Sequence, residues 1–301
     1  VKIAASRLAG LVCILGFFLA TVAPAEEIKL RPRYRAGDTY RLSLSVSTNT
    51  EASSKGAAGE FFEENVRLHY KASVLVLEVD GDGRPLRERH GRVSLTFERP
   101  GESGSLFNEG VAFEVERRSG LSILLGGEPL EAKLEKTVSR VLEKQFEYTL
   151  EPALLEPGRP VALGESWIPD ESLTRRFLVS RGIRVMEFGD APMATLQRRQ
   201  REDGETELVI DYRVPIARLE LTRMPPHTEA SRSEALLEGH VRLASEPGDA
   251  ATSSVSNLTL SLNGVTRSPA QSVPWSVRST VIVEKSTTET ESFATSGPSI
   301  R

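Results

Sequence analysis

The sequence predicts a mainly β protein of the α+β kind, with curved antiparallel sheets, arranged as two sheets or two related halves, and one long amphipathic helix. Three observations carry that expectation. Apolar residues alternate with polar ones over most of the chain, the pattern of strands with one buried face. The breaks between these runs hold Gly, Asp and Pro, which select turns. Only the stretch 130–147 repeats its apolar residues at the three-and-four spacing of a helix.

Taken in order, Leu42, Leu44 and Val46 alternate with Arg41, Ser43, Ser45 and Ser47 as a first strand. A polar loop over 51–59 leads to a second, with Val66, Leu68, Tyr70, Ala72, Val74 and Val76 on one face. Asp80-Gly81-Asp82-Gly83 ends it as a hairpin turn, since these residues tolerate positive φ, and Val93, Leu95 and Phe97 resume the alternation. Val111, Phe113 and Val115 form a further strand and 121–125 another, so the first half reads as a β-meander. Leu130, Leu134, Val138, Val141, Leu142 and Phe146 share one helical face, opposite Glu and Lys, suited to lie on a sheet. Pro152, Pro157, Gly158 and Pro160 then mark a boundary. Strands return over 195–200 and 206–214, over 236–243 and 255–265, and over 277–283. The stretch 173–188 fits neither period, because Phe177, Leu178, Ile183 and Val185 obey no single spacing. From Ser286 onward the chain is Ser, Thr and Glu with little to bury, and is expected to be a disordered tail. The expected division is therefore 1–25, 26–150 (meander plus helix), 151–285 (second β half) and 286–301.

Residues 1–25 read as a secretory signal peptide: Lys2 and Arg7 are followed by an uncharged apolar run from Leu8 to Ala20 and by Ala23-Pro24-Ala25, a cleavage site of small residues. The expected location is the periplasm or the medium, with cleavage after Ala25. The run is too short to span a bilayer, which takes about 20 apolar residues, and no later stretch approaches that. The single cysteine, Cys13, lies within it, and Gly10-Leu11-Val12 lacks the small residue expected just before a lipidated cysteine. A cleaved chain has no cysteine, which excludes disulfides, thiolate metal sites and cysteine nucleophiles. Losing Lys2 and Arg7 leaves 36 basic against 42 acidic side chains, a net charge of −6. That balance carries no footprint for nucleic acid or an anionic membrane.

Arg31-Pro32 with Gly37-Asp38-Thr39-Tyr40 is echoed by Arg159-Pro160 with Gly164-Glu165-Ser166-Trp167. Each is a glycine, an acid, a hydroxyl residue and an aromatic leading into strands, which reads as a turn whose aromatic anchors the start of a sheet. Both chance and internal duplication account for so short a match. With the long strand ending at Asp80-Gly81-Asp82-Gly83, the helix and the proline-rich stretch, the chain resembles uncharacterised exported bacterial domain families, which carry a similar glycine-acid-hydroxyl-tryptophan turn near mid-chain. The resemblance implies a fold and a compartment, and no activity.

No constellation of catalytic, cofactor-binding or metal-ligating residues stands out. His69, His90, His227 and His240 are scattered, with no second His or carboxylate at metal-ligand spacing. The calcium-loop reading of Asp80-Gly81-Asp82-Gly83 fails because Arg84, Pro85 and Gly91 occupy the fifth, sixth and twelfth positions. Ser103 in Gly101-Glu102-Ser103-Gly104-Ser105 lacks the closing glycine of a nucleophile elbow, as does Ser166, so 101–105 reads as a flexible loop. Arg198-Arg199-Gln200-Arg201 is balanced by Glu202 and Asp203. The expectation is a non-catalytic exported protein with no cofactor and no nucleic-acid partner. It serves as a binding or carrier module for an apolar ligand or, alternatively, as a structural or protein-interaction component of the cell envelope. A hydrolase without a recognisable motif ranks third, and the oligomeric state is open.

Overall fold

The alternation of apolar and polar side chains becomes one very wide sheet. The computed structural model describes residues 27–28, 34–54, 61–81, 83–107, 110–117, 121–132, 135, 138, 159–180, 182–200, 206–222, 227–243, 253–267 and 272–289. Its strands are β1 (Glu27–Ile28), β2 (Thr39–Ser54), β3 (Phe61–Val79), β4 (Pro85–Arg99), β5 (Glu102–Ser105), β6 (Val111–Glu116), β7 (Ser122–Leu125), β8 (Glu128–Pro129), β9 (Val161–Ala162) and β10 (Ser166–Trp167). Helix α1 (Glu171–Ser180) follows, then β11 (Ile183–Phe188), β12 (Met193–Gln200), β13 (Thr206–Leu221), β14 (Thr228–Arg242), β15 (Ser253–Arg267) and β16 (Ser272–Glu289).

Fourteen of these strands form one sheet in the order β10-β12-β13-β14-β15-β16-β2-β3-β4-β6-β7-β8, with β11 beside β13 and β5 beside β4. Every pairing is antiparallel and the sheet is not closed into a barrel; β1 and β9 pair separately. The mainly β expectation holds, but the two halves share a single main sheet. The join is β16 against β2, paired from Trp275↔Ser54 to Glu289↔Tyr40. The same pairing corrects the expected tail: residues 286–289 continue the strand, because β2 offers them ladder partners. The rest of the tail, 290–301, lies outside the described residues, as does the stretch 1–25 expected to be a signal peptide.

Both hydrophobic cores lie on the same face of this sheet. In the first, Tyr40, Leu42 and Leu44 stand opposite Val74, Ala72 and Tyr70, and all six are buried. In the second, Leu258 and Leu260 stand opposite Leu237 and Ala235. Val281 on β16 packs against both cores. It pairs with Leu258 on one side and Thr48 on the other, so one inward face runs unbroken across the join.

The helix expected over 130–147 is described only at Ala132, Glu135 and Val138, which are helical. The Glu135 amide donates to the Glu131 carbonyl at 2.8 Å, and Val138 and Leu130 are buried in the first core. Its other residues lie outside the described set. The ambiguous stretch 173–188 holds two elements. Asp170 caps α1, its carboxylate accepting from the Leu173 amide at 2.7 Å. Leu173, Phe177 and Leu178 pack inward from it, and Gly182, at φ 79°, turns the chain into β11, where Ile183 and Val185 take the two-residue period. Residues 102–105, expected to be flexible, form β5 against β4.

The repeated glycine-acid turn is the same device twice, bond for bond. The Gly37 amide donates to the Val76 carbonyl at 2.8 Å and the Val76 amide to the Asp38 carbonyl at 2.9 Å. The Gly164 amide donates to the Leu196 carbonyl at 2.8 Å and the Leu196 amide to the Glu165 carbonyl at 3.0 Å. In each turn the acid's carboxylate accepts from the amide three residues upstream, Arg35 at 2.7 Å and Ala162 at 2.8 Å. Register agrees as well: Tyr40 faces Val74 and Trp167 faces Ala194. Carried one strand further, Glu88 and His90 of β4, opposite Val76 and Val74, match Ile210 and Tyr212 of β13, opposite Leu196 and Ala194.

Candidate functional site

That correspondence exposes the most unusual chemistry in the described structure. Where the second core has buried Ile210, the first has buried Glu88, with His90 beside it; both are fully inaccessible. A bulge puts them there. Arg92 takes φ 51°, and the register of β4 against β3 slips between the Ser94 and Gly91 pairings. One extra residue reverses which side chains face inward. Val93 and Leu95 point to the core at odd positions, and beyond the bulge the even positions Glu88 and His90 do so.

Four elements close around the carboxylate. Tyr40 of β2 donates its hydroxyl to Glu88 Oε1 at 2.7 Å. Arg117, just past β6, donates from Nη2 to Glu88 Oε2 at 2.7 Å, and His90 Nε2 lies 3.2 Å from the same oxygen. Tyr70 of β3 places its hydroxyl 2.7 Å from His90 Nδ1. Phe113 of β6 stacks on the imidazole, centroids 5.5 Å apart and planes 13° from parallel.

Burial is the largest single influence on Glu88 and pushes its pKa up, but the Arg117 charge and the hydrogen bonds and charge of His90 together outweigh it, holding the carboxyl at about 2. Burial, then the Glu88 charge, raises both phenols well above their ordinary value. An ionised carboxylate only accepts, so the His90 Nε2–H donates to Glu88, while His90 Nδ1 and the Tyr70 hydroxyl share the second bond of the ring. Glu88 thereby receives three donors, the arrangement that makes a buried carboxylate tolerable. Arg117, 13% exposed, brings the network closest to solvent, so its chemistry is that of an internal charge clamp tying β2, β3, β4 and β6 together.

The sequence-level candidates lie elsewhere. His69 is half-buried on β3, His227 sits in a turn at φ 61°, and His240 faces Asp211 across β14 and β13. Burial first, then Arg242 and Arg199, lowers the His240 pKa. The four histidines do not converge, and among the described residues no group of three or more His, Cys, Asp or Glu forms a metal cage. Asp80 closes a hairpin: its carboxylate accepts from the Arg84 amide at 2.8 Å, while Asp82 lies outside the described residues. Ser103 stands on β5, and Ser166 shares a 2.8 Å hydroxyl contact with Thr195. Arg199 is paired with Asp211, at 2.6 and 2.7 Å, while Arg201, Glu202 and Asp203 lie outside the described set. The pair Glu88-x-His90 was the available signal, because residues two apart on a strand share a face. Counting alternation back from Val93 sends it outward, and only the bulge reverses that.

A second feature is the strip of inward face between the two cores. Tyr70 and Leu262 on either side are essentially inaccessible, whereas Val66, Leu68, Trp275, Val277, Val281 and Val283 are only half-buried. Within the strip the hydroxyls of Thr50 and Ser279 bond each other at 2.8 Å. The strip is a half-buried, largely apolar stretch of the inward face that crosses the join of β16 and β2.

No family model matches the chain, and no curated protein matches it in sequence. Among solved structures, one describing lipid–protein interactions in lipovitellin is 12% identical, with a TM-score of 0.39 over 87% of this chain. This chain spans 27% of that one. The β-barrel secretin domain of InvG from the Salmonella injectisome is 10% identical, with a TM-score of 0.18 over 98% of this chain and 71% of its own. No helix among the described residues is long and apolar enough to cross a membrane.

Proposed function

We propose that the protein is a non-catalytic exported binding module that holds an apolar ligand, of the acyl-chain type, against the half-buried strip between its two cores. The observation that carries this reading is the half-covered stretch of inward face between two buried cores, centred on Val277, Val281 and Leu68. Apolar side chains left partly in water gain about 25 cal/mol for each Å² that a ligand covers. The leading apolar run Leu8–Ala20 supports export. The Glu88 network itself is read as structural, because its carboxylate accepts three hydrogen bonds and is enclosed.

The test is titration with a fluorescent polyene fatty acid. Wild type should bind it, and Val277→Asp, which puts a charge in the strip, should weaken binding by about tenfold, equivalent to about 1.4 kcal/mol, while leaving the circular dichroism spectrum of the sheet unchanged. Unchanged affinity in a folded Val277→Asp protein, or no binding by wild type, defeats the reading.

A further inference from the structure

On the side of β2, β3 and β4 turned away from the first core, register decides which side chains meet. There β2 presents Arg41, Ser43, Ser45 and Ser47, which stand opposite Ser73, Lys71, His69 and Arg67 of β3. On β4, Ser94 and Thr96 stand opposite Lys71 and His69. The bulge that turns Glu88 and His90 inward leaves Arg92 exposed beside this set, between the Gly91 and Ser94 pairings. Arg41, Lys71 and Arg92 therefore neighbour one another on three successive strands, and His69 and Arg67 continue the patch along β3. It spans about 20 Å along β3 and about 10 Å across the strands.

No acid stands among these side chains; Glu98, opposite Arg67, and Glu284 of β16, opposite Ser45, mark the borders. Arg41, Arg67, Lys71 and Arg92 are exposed, and among the described residues none of them is paired with a carboxylate. Several other surface arginines are matched within the chain: Arg89 with Glu114 at 2.7 Å, Arg175 with Glu171 at 2.6 Å and Arg199 with Asp211 at 2.6 Å. The acidic balance of the whole chain hides this local excess, because alternation collects one sign of charge onto one side of three strands. The other members of the patch are Ser, Thr, Gly and one half-buried imidazole, so the long cationic side chains stand outermost.

We infer that this patch is a docking surface for the anionic headgroups of a lipid bilayer, whose phosphates meet the four cations. It holds no Phe, Tyr or Trp on which a base or a sugar ring could stack, and no exposed apolar side chain to form the core of a protein interface. What it offers is unmatched positive charge on long side chains, with hydroxyls between them that donate to phosphate oxygens. Clusters of roughly four to eight Lys and Arg are of the size that adsorbs to anionic lipid. The patch lies on the opposite side of the sheet from the half-buried strip, so docking leaves the strip free and does not depend on a ligand there.

The test is flotation of the full chain with vesicles of phosphatidylcholine mixed with phosphatidylglycerol, and with vesicles of phosphatidylcholine alone. Binding to the anionic vesicles at low salt, lost at high salt and absent from the neutral ones, is expected. Arg41→Gln with Lys71→Gln should weaken it about fivefold for each cation removed, about 25-fold together. Arg213→Gln with Arg278→Gln, the same change of charge at exposed residues elsewhere on that side of the sheet, should stay within about twofold of wild type. Both double variants should keep the wild-type circular dichroism spectrum; if the first does not fold, Arg67→Gln with Arg92→Gln provides the same readout. No binding to anionic vesicles, equal binding to neutral ones, equal losses in the patch and control variants, or tighter binding to alginate, a carboxylated polysaccharide, than to the vesicles at equal charge would each overturn the lipid assignment.

Discussion

Arg117 and Glu88 set the stakes at the scale of single residues. A buried ion pair gains little over apolar packing, but removing one partner leaves the other charge uncompensated. Arg117→Met is therefore expected to destabilise the protein by about 3–5 kcal/mol, read as a lowered urea midpoint. The double variant Arg117→Met with Glu88→Leu should recover much of that loss, as its counterpart Ile210 shows an apolar residue serving at the matching place. Acid makes a second readout. The Glu88 carboxyl sits at about 2 in the folded protein against an ordinary 4.5. A depressed carboxyl stabilises the fold at pH values above 4.5, and the contribution is lost as pH falls from there toward 2. It amounts to roughly 3 kcal/mol. Glu88→Gln should flatten stability against pH in that window, and an unchanged acid slope would show that other groups govern acid unfolding.

At the scale of elements, strand pairs depend on how closely backbones approach. Trp275 of β16 lies across Gly264 of β15, and a Cβ on Gly264 would stand 2.3 Å from the indole and 2.2 Å from the Glu229 carbonyl of β14. Gly264→Ala should cost at least about 1–3 kcal/mol, the usual range for overpacking, because the backbone carbonyl has nowhere to move. Thermal unfolding of the variant checks this, and a Tm equal to wild type would contradict the close packing. Alternation alone makes most strands legible in the amino-acid sequence. It fails where one residue breaks the count, at Arg92 in β4, and where two short elements with different periods adjoin, at Gly182. The glycine-acid turns are legible as turns; their identical bonding to Val76 and Leu196 is not, because those partners lie 39 and 32 residues along the chain from Gly37 and Gly164.

At the scale of the whole molecule, β16 holds two cores in one sheet. It pairs with β15 along one edge and β2 along the other, and Val281 packs into both cores. The halves are expected to unfold together in one calorimetric transition. Thr280→Pro, at mid-strand, removes a ladder donor and should lower stability, splitting that transition in two as each core melts alone. A single transition at lower temperature would mean that the cores communicate by another route.

What the sequence by itself determined is local: which residues alternate, where Gly, Asp and Pro turn the chain, and the absence of cysteine beyond Cys13. These follow from interactions within a few residues, and a mainly β fold is their direct consequence. Only the tertiary structure decided that the halves share a sheet through β16 and β2, that Glu88 and His90 face a core, and that Arg41, Lys71 and Arg92 gather on one outward face. Each of these rests on register between strands far apart in the chain, and register is chosen by the sum of contacts over a whole face, where a single bulged residue exchanges the buried side chains for the exposed ones.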